Sequence, residues 1–249
     1  MPAHLVVGGG DHSARVASRL VAGAAPHRRV LRPARETPFV DPVVTTVEGH
    51  LDHVLSALDL PAPVVADLIA AVLPSELSDL LGLARALTQA EAAGDELVAD
   101  VDIEVARLLG MPQRVAGAFA AFVPVIARWE VLVAPEGIGA LPVPTHPLLT
   151  ALREGTELLE GLDRSLADAD ATALHLAAPG GPVGAARRAD AEVLLALMGR
   201  TLTAVHPGGG AGVEYLPAAP AEGPPRPQRG PDGTWLLHIG VPGVRAADL

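Results

Sequence analysis

Apolar positions near the start of the chain change from a short run to a helical stripe. Residues 4–7 form the run, three glycines follow it, and Val16, Leu20 and Val21 then keep helical spacing. This order predicts a strand, a tight glycine turn and a helix. A second strand is predicted over 29–32.

The rest of the chain alternates between helical stripes and short apolar strands. Helices are predicted over 51–58, 64–72, 77–87, 115–129, 148–166 and 183–197, and strands over 96–102, 173–178, 201–205 and 235–239. Alternating strands and helices predict an α/β fold with a mainly parallel sheet covered on both faces.

The distribution of proline divides the chain. Six of the fifteen residues in 217–231 are proline, which predicts an extended linker over 216–232. We therefore expect one α/β domain over 1–215, with a helical insertion at about 105–150. Beyond the linker, 233–249 is expected to form a partial strand element.

The longest apolar stretch, 115–127, contains Gly117 and Pro124 and is too short to span a bilayer, which needs about 20 residues. The first residues lack the basic segment and long apolar segment of a secretory signal. These features predict a cytoplasmic protein that is not integral to a membrane.

Composition excludes several functions. The net charge of −11 and an aromatic content of 2% argue against binding nucleic acid, because phosphates are repelled and bases find few stacking partners. Cysteine is absent, which excludes disulfides and thiolate metal sites. All 18 basic residues are arginine, so lysine chemistry is excluded as well.

The order of several segments resembles the ArsA family, the anion-transporting and tail-anchored-protein-targeting ATPases. The segments are 80–85, 94–100, 107–112, 177–188 and 232–244. The resemblance implies a P-loop NTPase fold, ATP hydrolysis as the family's activity, and a dimer with nucleotide at its interface. It covers most of the chain.

The family's phosphate loop reads K-G-G-x-G-K-[ST], and residues 7–13 depart from it. Val7 and His12 stand in place of the two lysines, and Asp11 replaces the third glycine. A carboxylate a few Å from a phosphate is repelled by about 1–4 kcal/mol, depending on the local dielectric. The loop is therefore expected to be at most a remnant nucleotide site, formed by Gly8, Gly9, Gly10 and Ser13. The simpler alternative is a strand-to-helix turn that needs glycine for its backbone conformation.

The second switch of the family also departs from its pattern. Asp100 corresponds to the switch aspartate, but the T-x-P-T-G-H segment that should follow is replaced by a shorter stretch containing Asp102. The family's adenine-side asparagine falls on His206. We therefore expect no catalytic residues and no cofactor, with ATP and Mg²⁺ bound only if weak nucleotide binding survives.

His50 and His53 lie three residues apart on a predicted helix, with acidic residues nearby. A metal site is one interpretation, but a third ligand is not identifiable. A pair of neutral imidazoles on a solvated helix face explains the same pattern, and no metal site is predicted.

The helix over 115–129 is apolar nearly all round and carries Phe119, Phe122 and Trp129. Burial in the core and a partner-binding groove predict the same pattern. In the ArsA family the corresponding helices contribute to the cargo surface and the dimer contact, which makes these three residues candidates for binding a partner.

The first hypothesis is a non-catalytic ArsA-like subunit that forms a hetero-oligomer with an active ArsA-type ATPase. The first alternative is an ATPase with weak nucleotide binding that is completed across a dimer. The second is an unrelated α/β enzyme acting on a small acidic metabolite or sugar.

Overall fold

The computed structural model describes most of the chain. The described residues are 3–8, 10–23, 29–32, 41–57, 60–73, 75–102, 106, 109–133, 146–200, 202–208, 212–216, 228–229, 231 and 235–236. The chain divides into two compact units. The first contains 1–36, 86–111 and 164–249, and the second contains 37–85 and 112–163.

The first unit is built on a sheet of six strands within the described residues. These are β1 (Ala3–Gly8), β2 (Arg29–Arg32), β3 (Glu96–Asp102), β4 (Thr172–Ala178), β5 (Ala204–Pro207) and β6 (Glu214–Tyr215), arranged in the order β2-β3-β1-β4-β5-β6. Every neighbouring pair is parallel except β5 with β6. Two further short strands, β7 (Gln228–Arg229) and β8 (Trp235–Leu236), pair antiparallel in a separate sheet.

Seven helices of three turns or more lie within the described residues. They are α1 (Gly10–Ala22), α2 (Pro42–Ala57), α3 (Ala62–Val72), α4 (Ser75–Ala93), α5 (Pro112–Val133), α6 (His146–Ala167) and α7 (Gly181–Leu197). None of these helices is long and apolar enough to cross a membrane.

Helix α1 covers one face of the sheet in the first unit. Val6 of β1, Val98 of β3 and Ala177 of β4 point to this face, where they pack against Val16 and Ala17 of α1. Strand residues alternate between faces, so this packing assigns the even positions of β1 and β3 to the side of α1. Burial of this apolar cluster fixes the position of the glycine turn that precedes α1.

The second unit is helical. Asp41 caps its first helix, because its Oδ1 accepts a hydrogen bond of 2.9 Å from the Val43 amide at the start of α2. Phe119 of α5 packs so closely against Gly155 of α6 that a Cβ at Gly155 would lie 2.8 Å from the phenyl ring. Close packing at glycine therefore holds α5 against α6 in this unit.

The predicted α/β class and the mainly parallel sheet are confirmed. The strand expected over 201–205 instead begins at Ala204, and β6 and β7 were not predicted. The helical unit contains two segments of chain, 37–85 and 112–163, of which the second overlaps the insertion expected at 105–150. Most of the predicted linker, including 217–227, lies outside the described residues.

Candidate functional site

The carboxyl edge of the sheet carries the residues that the sequence singled out. From β1 the chain runs to β2 on one side of the sheet, and from β4 it runs to β5 on the other. Open α/β sheets bind ligands in the crevice where the connections diverge in this way. In this sheet the corresponding position lies beyond Gly8 of β1 and Ala178 of β4.

The glycine turn follows β1 at this crevice. A Cβ at Gly8 would lie 3.0 Å from the Ser13 Cβ and 3.1 Å from the Ala177 Cβ, so the strand end is tightly enclosed. Gly10 begins α1 with a φ of +68°, a left-handed conformation that favours glycine. Gly9 lies outside the described residues. A tight turn thus accounts for both described glycines without a ligand.

Ser13 connects this turn to Asp100 of β3. Its hydroxyl donates a 3.0 Å hydrogen bond to the Gly10 carbonyl and is also hydrogen-bonded to the Asp100 carboxyl. Ser13 is 1% exposed and Asp100 is 6% exposed. Because the serine hydroxyl has a single hydrogen, Ser13 donates either to the Gly10 carbonyl or to an ionised Asp100. A protonated Asp100 instead donates to the serine oxygen, and both bonds then form together.

Burial raises the pKa of Asp100 above its ordinary value, and the neighbouring charge of Asp102 raises it further. The hydrogen bond from Ser13 opposes this shift. The Asp100 Oδ1 has no hydrogen-bond partner among the described residues. Asp100 is therefore a buried acid near the carboxyl edge of the sheet, with a hydrogen bond to Ser13.

Asp11 and His12 occupy the first turn of α1. Asp11 is exposed there, at the positive end of the helix dipole, where its own carboxylate takes the place that an anion would prefer. His12 Nε2 lies 3.0 Å from the backbone oxygen of His206 in β5, to which it donates a hydrogen bond. Neither side chain is the lysine that the family pattern has in this loop.

His206 belongs to a chain of imidazoles that the sequence did not reveal. Its Nε2 lies 3.1 Å from Nδ1 of His175 in β4, and the Nε2 of His175 lies 3.0 Å from Nδ1 of His4 in β1. The signal was one polar residue within each apolar strand, but the strand order that aligns them is not visible in sequence.

Two of the three candidate partner residues, Phe119 and Phe122, have different surroundings on α5. Phe119 is 7% exposed and packs inside the second unit, whereas Phe122 is 55% exposed. Val125, one turn further on, is also 55% exposed. Trp129 lies on the same helix, and its side chain is outside the described residues. Of the two described phenylalanines, only Phe122 is accessible to a partner.

His50 and His53 lie on α2, where His50 is half-buried and His53 is exposed. Burial, and then the charge of His53, lowers the pKa of His50. Across the described ranges, no group of three or more His, Cys, Asp or Glu side chains is arranged to hold a metal ion.

A comparison of the chain with models of known protein families gives no match, and a comparison with curated proteins gives none either. The resemblance to the ArsA family thus rests on the sequence segments named above.

Proposed function

We propose that this chain is a non-catalytic, ArsA-like subunit that binds an active paralogous ATPase. One observation carries the loss of catalysis: Asp11 is exposed in the first turn of α1, beside a glycine turn that has no lysine. Phosphate transfer depends on positive groups that neutralise charge on the phosphates. A carboxylate at this helix end opposes that role, so we derive no catalytic step.

The exposed side of α5 supports a binding role. Phe122 and Val125 are three residues apart and therefore share one side of the helix, and both are more than half exposed. Between and around them lie Ala118, Ala121 and Pro124, which are also exposed. An apolar side of a helix in contact with water is a feature of protein interaction surfaces. We call Phe122 and Val125, with these three neighbours, the α5 surface.

Large aromatic side chains contribute much of the binding energy at protein interfaces. Phe122 is thus expected to be the main contributor on the α5 surface. The net charge of −11 keeps copies of this chain apart and favours a less acidic partner. These two properties favour a hetero-oligomer over a homo-oligomer.

Co-expression with an ArsA-type ATPase encoded by the same host tests the proposal. We expect a complex in size-exclusion chromatography, and we expect Phe122→Asp to weaken it at least tenfold. Val183→Asp is the matched control, because Val183 is 65% exposed on α7 and lies outside the α5 surface. The proposal fails if no complex forms, or if both variants bind equally well.

One observation favours the alternative of weak nucleotide binding completed across a dimer. Ser13 and Asp100 lie against each other beside the glycine turn, which is the relative position that the family resemblance implies for a magnesium-binding hydroxyl and carboxylate. Calorimetric titration with Mg-ATP separates the two functions. A dissociation constant in the low micromolar range would support the alternative, whereas the proposed subunit binds Mg-ATP far more weakly.

A further inference from the structure

Three histidines on adjacent strands form a hydrogen-bonded chain across the sheet. His4 and His175 have ring centroids 5.2 Å apart, and those of His175 and His206 are 5.3 Å apart. His175, the middle ring, is 5% exposed, and both of its nitrogens are used within the chain. Each of the two hydrogen bonds between the rings requires one N–H donor and one acceptor nitrogen, and this requirement limits where protons can reside.

The neutral chain satisfies both bonds. A neutral imidazole has one N–H donor and one acceptor nitrogen. His175 therefore donates to one neighbour and accepts from the other, and the chain can run in either direction. No bond is lost in either arrangement.

One added proton leaves both bonds intact. If it resides on His175, both nitrogens of that ring donate, and His4 and His206 accept. If it resides on an outer ring, it occupies the nitrogen that does not take part in the chain. The proton can thus be held at any of the three rings, and charged donors strengthen the hydrogen bonds that they make.

A second proton cannot be added without loss. Two adjacent charged rings would direct N–H groups at each other. Charges on both outer rings would require His175 to accept at both nitrogens, which a neutral imidazole cannot do because it always retains one N–H. Like charges in a buried setting add a further cost. We propose that His4, His175 and His206 form one proton-binding site, with a capacity of a single proton.

Positive groups approach the site from α1. Burial, followed by the charges of Arg19 and His12, lowers the pKa of His206. These neighbours favour placement of the proton toward His175 and His4, away from β5. His12 also donates a hydrogen bond to the His206 backbone oxygen, so the first turn of α1 lies next to the proton-binding site.

Carboxylates approach the same face of the sheet from β3. Val98 pairs with His4, and Asp100 pairs with Val6, so the alternating positions Glu96, Asp100 and Asp102 share the face of the histidines. Glu96 and Asp100 are buried, and Asp102 is half-buried. Negative charge on β3 favours binding of the first proton by the three histidines. A second proton is still excluded, because the two hydrogen bonds of the chain cannot both form when it is added.

Histidine-selective ¹⁵N labelling and NMR titration of the full chain from pH 8 to pH 5 test the capacity. We expect the three rings to take up one proton in total, with a shared midpoint. Any count other than one for the three rings overturns the proposal.

His175→Leu removes the middle ring of the chain, and with it the requirement that this ring accept two hydrogen bonds when both outer rings are charged. We expect His4 and His206 then to titrate independently and to take up one proton each, so that uptake rises from one to two. His146→Gln is the control and should leave the midpoint of the chain unchanged. If His4 and His206 keep a shared single-proton titration in the folded variant, the proposal is wrong. If the variant does not fold, the titration of the unaltered chain decides alone.

Discussion

The guanidinium of Arg85 lies 3.3 Å from the carboxylate of Asp41, which is fully buried. Arg85 belongs to α4 and to the second unit. A second contact joins Arg85 to Glu154 of α6 at 2.7 Å. Asp41 also caps α2 and donates its amide hydrogen to Ser78 at 3.3 Å. One arginine therefore compensates a buried charge and connects three helices of the helical unit.

Arg85→Met should strongly destabilise the protein. The substitution retains the apolar stem of the side chain but leaves the Asp41 carboxylate buried without its cation. Removal of one partner from a buried pair costs about 3–5 kcal/mol. Urea unfolding followed by circular dichroism measures this loss of free energy.

Arg188→Met is the matched control. Arg188 makes two short hydrogen bonds to Glu214, of 2.6 and 3.0 Å, but Glu214 is half exposed. Ion pairs in contact with solvent contribute about 0–1 kcal/mol. Equal losses for the two variants would show that burial of Asp41 does not determine the energy of its pair.

Gly184→Ala should also destabilise, by about 1–3 kcal/mol, because it overpacks a closed site. A Cβ at this position would lie 1.5 Å from the carbonyl oxygen of Pro179, at the turn into α7. Gly49 is the comparison: it lies inside α2 with no atom within 4 Å of an added Cβ. Gly49→Ala should stabilise by about 0.5–1 kcal/mol through helix propensity. Thermal unfolding measures both, and a Gly184→Ala protein as stable as Gly49→Ala contradicts the close approach.

The periodicity of the sequence was sufficient to predict most of the fold. Short, mostly apolar runs that end at acidic, glycine or proline residues gave β1, β3 and β4, because strands buried on both faces retain few polar positions. The last strand of the parallel series was misplaced. Residues 201–203 are as β-prone as those that follow, but pairing with His175 and its neighbours in β4 begins only at Ala204.

The candidate site was less predictable, because it depends on tertiary arrangement. A helix that is apolar all round gives no indication of which side is buried, so Phe119 and Phe122 could not be distinguished. The histidine chain joins positions 4, 175 and 206, and only the strand order brings them together. Asp100 was found from sequence, because an acid at the end of a buried strand is visible there.

Stability should decrease as the pH falls below about 6.5, the ordinary value for histidine. Burial lowers the pKa of both His50 and His206 in the folded protein. The unfolded chain then binds protons at a higher pH than the folded chain, so protonation favours unfolding. The stability that the neutral histidines provide is fully present at a pH above their unfolded pKa, and it is lost as the pH falls through their folded pKa. His50→Gln should reduce the slope of stability between pH 7 and pH 5, and an unchanged slope assigns the dependence to other groups.

Asp100→Asn should stabilise the protein at pH 7. Burial is the main cause of the raised pKa of Asp100, so the ionised carboxylate is the form that the folded state disfavours. An acid whose pKa is raised in the folded protein stabilises the fold fully at a pH below its unfolded pKa, which is 3.8 for Asp100. This stabilisation is lost as the pH rises through the folded pKa. Asparagine has nearly the same shape, can donate an amide hydrogen to the Ser13 oxygen while Ser13 donates to Gly10, and carries no charge.

The pH dependence separates this cause from a simple effect of packing. The advantage of Asp100→Asn over the parent should be largest near pH 7. It should shrink as the pH falls through the raised folded pKa of Asp100, because the parent carboxyl is then protonated. Asp67→Asn, at an exposed position on α3, is the control and should change stability little at either pH. If Asp100→Asn is less stable than the parent at pH 7, the ionised carboxylate is stabilised in the fold by more than its burial costs. A gain at pH 7 means that the chain retains a destabilising acid at the carboxyl edge of its sheet, as binding sites commonly do.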